Sequence, residues 1–329
     1  MESHTVNGVT YTVQSTGKSG YAKGHFLASG SALAMAENIA NAKEVAKALP
    51  WKLGRPDEIG VIMDRVVDNG IDSWHNGDCD DEDQINAFDE LIEKVKVGGW
   101  ERGVSKLKEI VESLRETVPV PESIIDQIHW GDQGDEFDIH RMWAGAIDRA
   151  WSSERGGLAQ GPRIVRLLVP YGGSSVCNMD KLRWVGASAV ILCDILEDAG
   201  FRVEIVGLEA GKMGCGYCTN IVRLKEAGEY MSVETLTLML CHPVAFRAIA
   251  IRHAMFSPTN WDNGSYGSPS YPASDETLRE ILEEMGALDT SDDSIILGEA
   301  FSEGKCRQVV AKALAQVEKL IERDEAETD

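Results

Sequence analysis

Residues 162–225 read PRIVRLLVPYGGSSVCNMDKLRWVGASAVILCDILEDAGFRVEIVGLEAGKMGCGYCTNIVRLK, and their pattern decides the fold class. Ile164 to Val169 is a short apolar run bounded by Pro162 and Pro170, the signature of a central strand. From Asp180 to Ala199, Leu182, Val185, Ala189, Leu192, Leu196 and Ala199 recur at spacings of three and four, and Gly200 follows as a C-terminal cap. That is an amphipathic helix. Val203 to Leu208 supplies a second strand, and strand, helix and strand together form a βαβ unit with a parallel sheet. The Gly-rich connection from Gly211 to Cys218 is too short for a helix, so a third strand at Thr219–Lys225 is expected antiparallel to its neighbour.

Downstream, Ser232-Val233-Glu234-Thr235 caps a helical region that Pro243 interrupts and restarts. Residues 256–273 read as a long loop, and such length points to function or mobility. Leu278, Ile281, Leu282 and Met285 mark a helix ended by Gly286; Ile295 to Leu297 marks a last strand, and Cys306 to Glu322 a last helix. Upstream, Asn7-Gly8 between β-branched residues predicts a two-residue hairpin. Helices are expected at Ser31–Leu49, Pro56–Asn69, Gln84–Val97 and Ser105–Thr117. The division is therefore a mainly helical N-terminal region with a short hairpin, residues 1–150, and an α/β domain, residues 151–329.

Composition narrows the function. The 329 residues are 43% hydrophobic and 26% charged, which excludes a chain disordered throughout. The 32 Lys+Arg against 54 Asp+Glu leave a net charge of −22, a surface that repels phosphate backbones, so no nucleic-acid partner is expected. The longest apolar run in the domain helix, Ala189 to Cys193, stops at Asp194, far short of a membrane span. Met1 to Tyr11 lacks a basic segment followed by an apolar one, and seven scattered cysteines make no disulfide framework; residence in the cytoplasm with reduced thiols is expected.

Several stretches invite chemistry. Tyr171, Gly172, Gly173, Ser174, Ser175 and Cys177 lie between the first strand and its helix, where α/β sheets bind ligands. This loop suits an anion cradle, a hydroxyl-lined cation site or a thiol at a helix start, and equally a tight turn built of small residues. Trp261, Tyr266 and Tyr271 offer aromatic anchors beside it. Cys215 and Cys218 have the spacing of half a zinc site, but no second such pair exists, so a cysteine-bearing hairpin explains them more simply. Asp78 to Asp89 partly matches a calcium loop, with Asp83 where Gly and Asp89 where Glu would stand; acids at a helix start account for it through the dipole. His129, Asp132, Asp135, Asp138 and His140 surround Trp130 and Phe137 without a recognisable ligand spacing and read as a solvated connector. Gly17-Lys18-Ser19 lacks the earlier glycine of a phosphate loop.

The ordered pattern RIVRLLVPYGGSSV, a helix to LEDAG, FRVEIVGLEA and IVRLKEAGEYMSVETLTLMLCHPVAFR resembles the von Willebrand factor A-type fold of cobaltochelatase-like proteins. It is more similar still to a family of bacteriophage and prophage proteins of unknown function that look like a degenerate version of that domain. GGWERG and DEFDIHRMWAGAIDRAW resemble the stretches preceding it, so the likeness covers residues 90–255. The resemblance implies a Rossmann-type, mostly parallel sheet flanked by helices. The metal motif Asp-x-Ser-x-Ser of von Willebrand A-type domains falls on Pro170, Gly172 and Ser174, which lack two of three ligands, and the nearest acid is Asp180. The resemblance and these departures together imply a phage- or prophage-encoded protein–protein interaction module, free of metal and cofactor. Its binding face is expected on the loop, and its place in the bacterial cytoplasm or on a virion. A nucleotide- or metal-binding enzyme using Gly172–Ser175 is the alternative.

Overall fold

The computed structural model describes residues 1–15, 24–51, 71, 73–77, 79–98, 100–125, 128–131, 136–137, 139–143, 150–154, 164–171, 178–213, 216–254, 256–257, 270–272, 275–285 and 294–328. The expected helix at Pro56–Asn69 lies outside the described residues.

Strands β1 (Glu2–Val6) and β2 (Val9–Ser15) form the predicted hairpin. Asn7 and Gly8 both take positive φ, 46° and 80°, as a type I′ turn requires. Strand β3 (Gly24–Ser31), which no sequence pattern predicts, pairs antiparallel with β2, and Ser31 then caps helix α1 (Ala32–Ala40) through its hydroxyl. The single helix expected over Ser31–Leu49 is two, α1 and α2 (Ala42–Ala48). The break falls at Asn41, whose side chain donates to the Glu37 carbonyl at 2.8 Å and competes with the helix for it. A four-residue helix, α3 (Ser73–Asn76), is followed by a 3-10 turn at Asp81–Asp83, then α4 (Phe88–Val97) and α5 (Glu101–Arg115). The connector at residues 122–154 carries α6 (Glu122–Ile125), a small antiparallel sheet of β4 (Ile128–Gly131), β6 (Trp151–Glu154) and β5 (Glu136–Phe137) in that order, and α7 (Ile139–Trp143).

The βαβ unit is β7 (Ile164–Pro170), α8 (Met179–Asp198) and β8 (Arg202–Met213), its strands parallel neighbours. Gly200, at φ 92°, donates to the Glu197 carbonyl while Phe201 N–H reaches back to Leu196 O, the paired bonds of a glycine C-cap. Strand β9 (Gly216–Lys225) turns straight back antiparallel to β8, as its short connection dictates. Helix α9 (Val233–Cys241) starts on the Ser232 cap, a π-helical turn spans Ala245–Ala250, and α10 (Ile251–Ala254), β10 (Ser270–Pro272), α11 (Asp275–Glu284), β11 (Ser294–Ile296) and α12 (Glu303–Thr328) complete the chain.

The main sheet runs β1-β2-β3-β9-β8-β7-β11, with β10 beside β8. Among β3, β9, β8, β7 and β11 three joins are parallel and one antiparallel; the β1-β2-β3 joins are antiparallel, so the whole is a mixed α/β sheet. The two-residue alternation of the strands sends side chains to two cores. Val165, Leu167, Val169, Val203 and Ile205 join the larger core with residues of α1, α8, α9 and α12, and Leu168, Val206, Leu208 and Ile221 meet Leu278, Ile281 and Leu282 of α11 on the opposite face. At Gly186 on α8 the neighbouring α9 leaves no room for a side chain: a Cβ there would overlap the Cys241 sulfur.

Candidate functional site at the carboxyl ends of the central strands

The chain runs from β7 to β8 on one side, while β11 returns to the other side of β7. In open α/β sheets the crevice at such a switch point, outside the carboxyl ends of the strands, is where ligands bind. Tyr171 stands at this end: its N–H donates to Leu208 O at 3.2 Å, continuing the ladder one residue beyond Pro170. Its ring lies against Gly207, where an added Cβ would come within 3.1 Å of it, so a bare backbone on β8 makes room for the aromatic.

Beside Tyr171, on the larger-core side of β8, sits Glu209. It faces Asn220 across the β8–β9 ladder, and Asn220 Nδ2 donates both to Glu209 Oε2 at 2.8 Å and to Ala250 O at 3.1 Å. Asn220 is 0% exposed, Tyr171 1% and Glu209 9%. Burial pushes the Glu209 carboxyl up to about 7, against a lowering by the Asn220 bond. Burial, then the Glu209 charge, also raises the Tyr171 phenol well above its ordinary value. Among the described residues, two polar atoms of this cluster, Tyr171 OH and Asn220 Oδ1, are buried without a hydrogen-bond partner. Among the described residues Glu209 has no ion-pair partner. A buried acid without a counter-charge beside two unmet polar atoms departs from the rule that buried polar groups are paired.

The sequence-predicted residues are placed unevenly. Tyr171 belongs to this cluster, and Asn178 caps α8, its Oδ1 accepting from Lys181 N–H at 3.1 Å. Gly172, Gly173, Ser174, Ser175 and Cys177 lie outside the described residues, as do Trp261, Tyr266 and Cys215. Tyr271 falls on β10, beside the carboxyl end of β8. Cys218 is buried in β9 on the Glu209 side, and burial, then the Glu209 charge, drives its thiol up to about 12 against a hydrogen bond from Ser257. Of the connector residues, Asp132, Asp135 and Asp138 are outside the described set. Glu209 and Asn220 belong to no motif in the sequence, although a signal exists: Val203, Ile205, Gly207 and Glu209 share one phase of the strand, so alternation alone puts the acid on the buried side.

Two further polar clusters are structural. Asp83 is buried in the acidic stretch and accepts from Trp100 Nε1 at 2.8 Å; Arg102 pairs with Asp80 at 2.8 Å and Glu82 at 3.5 Å. These carboxylates are occupied in holding the start of α5. His242 donates from Nε2 to Asp83 O at 2.9 Å and accepts Val244 N–H on Nδ1 at 3.2 Å. In the second cluster Asn38 Nδ2 donates to Tyr11 OH at 3.1 Å, Tyr11 OH meets His253 Nδ1 at 3.3 Å, and His253 Nε2 reaches Met35 O at 2.9 Å. A carbonyl only accepts, so Nε2 carries the proton and Nδ1 takes the phenol's. Among the described residues no three His, Cys, Asp or Glu side chains gather as a metal site would require.

A family model described as a domain of unknown function, DUF7192, matches residues 85–321. The chain belongs to the DUF7192 family. No curated protein and no solved structure matches it. The DUF7192 region holds α4 to α11, most of α12 and the whole Tyr171–Glu209–Asn220 cluster, whereas the hairpin, β3 and α1 precede it, extend its sheet beyond β9 and contribute residues to its cores. No described helix is long and apolar enough to cross a membrane.

Proposed function

We propose that this DUF7192 protein is a binding module of von Willebrand A-like architecture that recognises a protein partner at the carboxyl ends of β7, β8 and β11, without a divalent metal. The observation that carries this reading is the Tyr171–Glu209–Asn220 cluster, in which the phenol stands where β7 ends and the 172–177 loop begins, and the amide oxygen lies on β9 opposite Glu209, both without a hydrogen-bond partner among the described residues. Strand order supports the architecture: counted from β7 with the three-residue β10 set aside, the succession β9-β8-β7-β11 is 3-2-1-4, the order that begins a Rossmann-type sheet, here with β9 antiparallel. Pro170 stands where the resemblance would want a metal-binding carboxylate, and a hard divalent cation is poorly served by one buried acid. An anionic ligand is disfavoured because Asn178 already caps α8 and Asp180 places a negative charge in its first turn. The bacteriophage setting, the bacterial cytoplasm and a place in the virion come from the family resemblance in the sequence and belong to the same proposal.

One observation favours the enzymatic alternative, since a carboxyl titrating near neutrality is suited to carrying a proton. The described thiols at Cys193, Cys218, Cys241 and Cys306 are all raised by burial, which is unfavourable for a nucleophile. Affinity capture from bacterial lysate tests the binding reading, with the tagged wild type beside Ser174→Tyr, each with and without chelator. The expected result is a specific protein retained by the wild type regardless of chelator and lost with the variant. Equal retention by Ser174→Tyr, or capture that needs metal, contradicts the proposal.

A further inference from the structure

We infer that the Tyr171–Glu209–Asn220 cluster takes a primary ammonium group, of the kind that ends a lysine side chain. This rests on the carboxyl-end face being the recognition site and adds the chemistry it recognises. An ammonium carries one positive charge and three N–H donors. Among the described residues the cluster offers one carboxyl group without a counter-charge, one amide oxygen without a partner and one phenol oxygen without a partner, on Glu209 of β8, Asn220 of the neighbouring β9 and Tyr171 one residue past the neighbouring β7. Asn220 is oriented for this: its two N–H bonds are taken up by Glu209 and the Ala250 carbonyl, which leaves Oδ1 as an acceptor only. Among the described residues the groups coupled to Glu209 are Asn220, which donates to it, and Tyr171 just past β7 and Cys218 on β9, both of which feel its charge; none of them is cationic at neutral pH. A ligand cation therefore supplies the charge that the fold leaves out. The overall net charge of −22 draws cations toward the protein as a whole.

Calorimetric titration of the full chain with butylammonium tests the inference, alongside tetramethylammonium, which has the charge without N–H donors, and magnesium. Saturable butylammonium binding is expected at pH 8, with tetramethylammonium and magnesium at least roughly tenfold weaker. Because the Glu209 carboxyl titrates near 7, affinity should fall about tenfold from pH 8 to pH 6. Glu209→Gln should lose about tenfold or more, and Tyr171→Phe, which keeps the ring on Gly207, about threefold to tenfold. A free amine and a protein side chain are separated by comparing butylammonium with Nα-acetyl-lysine methylamide, the tighter probe indicating the source. Absence of saturable binding by the wild type, or equal binding by folded Glu209→Gln, overturns the inference, as does magnesium binding in preference to the amine. If capture from lysate still depends on Ser174 while butylammonium does not bind, the ammonium chemistry fails and the recognition face stands.

Discussion

Acidification should destabilise this protein steeply, and His253 allows the effect to be isolated. Burial lowers both His242 and His253 from an ordinary 6.5 to about 4. In the unfolded chain each imidazole takes up a proton near pH 6.5, whereas in the folded protein each resists until about pH 4. Between those values the unfolded state binds more protons, so stability falls as pH falls, and the loss is complete below the folded values. At about 1.36 kcal/mol per pH unit, each imidazole accounts for about 3 kcal/mol. Glu209 works with the opposite sign: its folded value is raised from 4.5 to about 7, so the folded state holds the extra proton, and stability falls as pH rises through that window. One imidazole is thus offset between about pH 4.5 and 6.5, and a net loss of about 3 kcal/mol remains there, a large share of a typical stability of roughly 5–15 kcal/mol. His253→Gln keeps an amide N–H for the Met35 carbonyl and removes the titration. Urea unfolding at pH 4.5, 5.5, 6.5 and 7.5 should show an acid limb shallower than that of the wild type by about 3 kcal/mol, whatever the variant loses at pH 7.5. An acid limb that superimposes on the wild type would refute the neutral, buried imidazole and the Tyr11–His253–Met35 network built around it.

The same packing gives two other outcomes. Glu209→Gln should raise stability by about 3 kcal/mol at pH 8 and converge on the wild type below pH 4.5, read by denaturant midpoints across that range; a constant difference at all pH values would contradict the raised carboxyl. Gly186→Ala should destabilise by about 1–3 kcal/mol, because the new methyl meets the Cys241 sulfur where α8 and α9 touch, and an unchanged thermal midpoint would count against that close approach.

Local signals in the sequence are sufficient wherever short-range chemistry determines the structure. Asn7-Gly8 specifies the hairpin because only residues tolerant of positive φ close a type I′ turn. The 3-and-4 spacing ended by Gly200 specifies α8, and the brevity of residues 211–218 specifies an antiparallel β9. Long-range pairing is not legible. Strand β3, GHFLASGS, is rich in small residues and is held by β9, nearly 200 residues away, a partnership no local window can contain. Strands β4, β5 and β6 have four, two and four residues, too few for alternation to emerge. The loop after β7 is legible as a site position from topology alone. The chemistry proposed for it lies instead on Glu209 and Asn220, two strand residues opposed only by the β8–β9 register, and a strand ended at Leu208 stops one residue short of the acid.

The most direct test of the carboxyl-end site is a carbon-13 NMR titration of the Glu209 side-chain carboxyl in the full-length protein, with and without saturating butylammonium. The predicted result is a midpoint near pH 7 in the free protein that drops toward 4.5 when the amine is present. A midpoint near 4.5 under both conditions would show a solvated, already compensated acid and contradict the account.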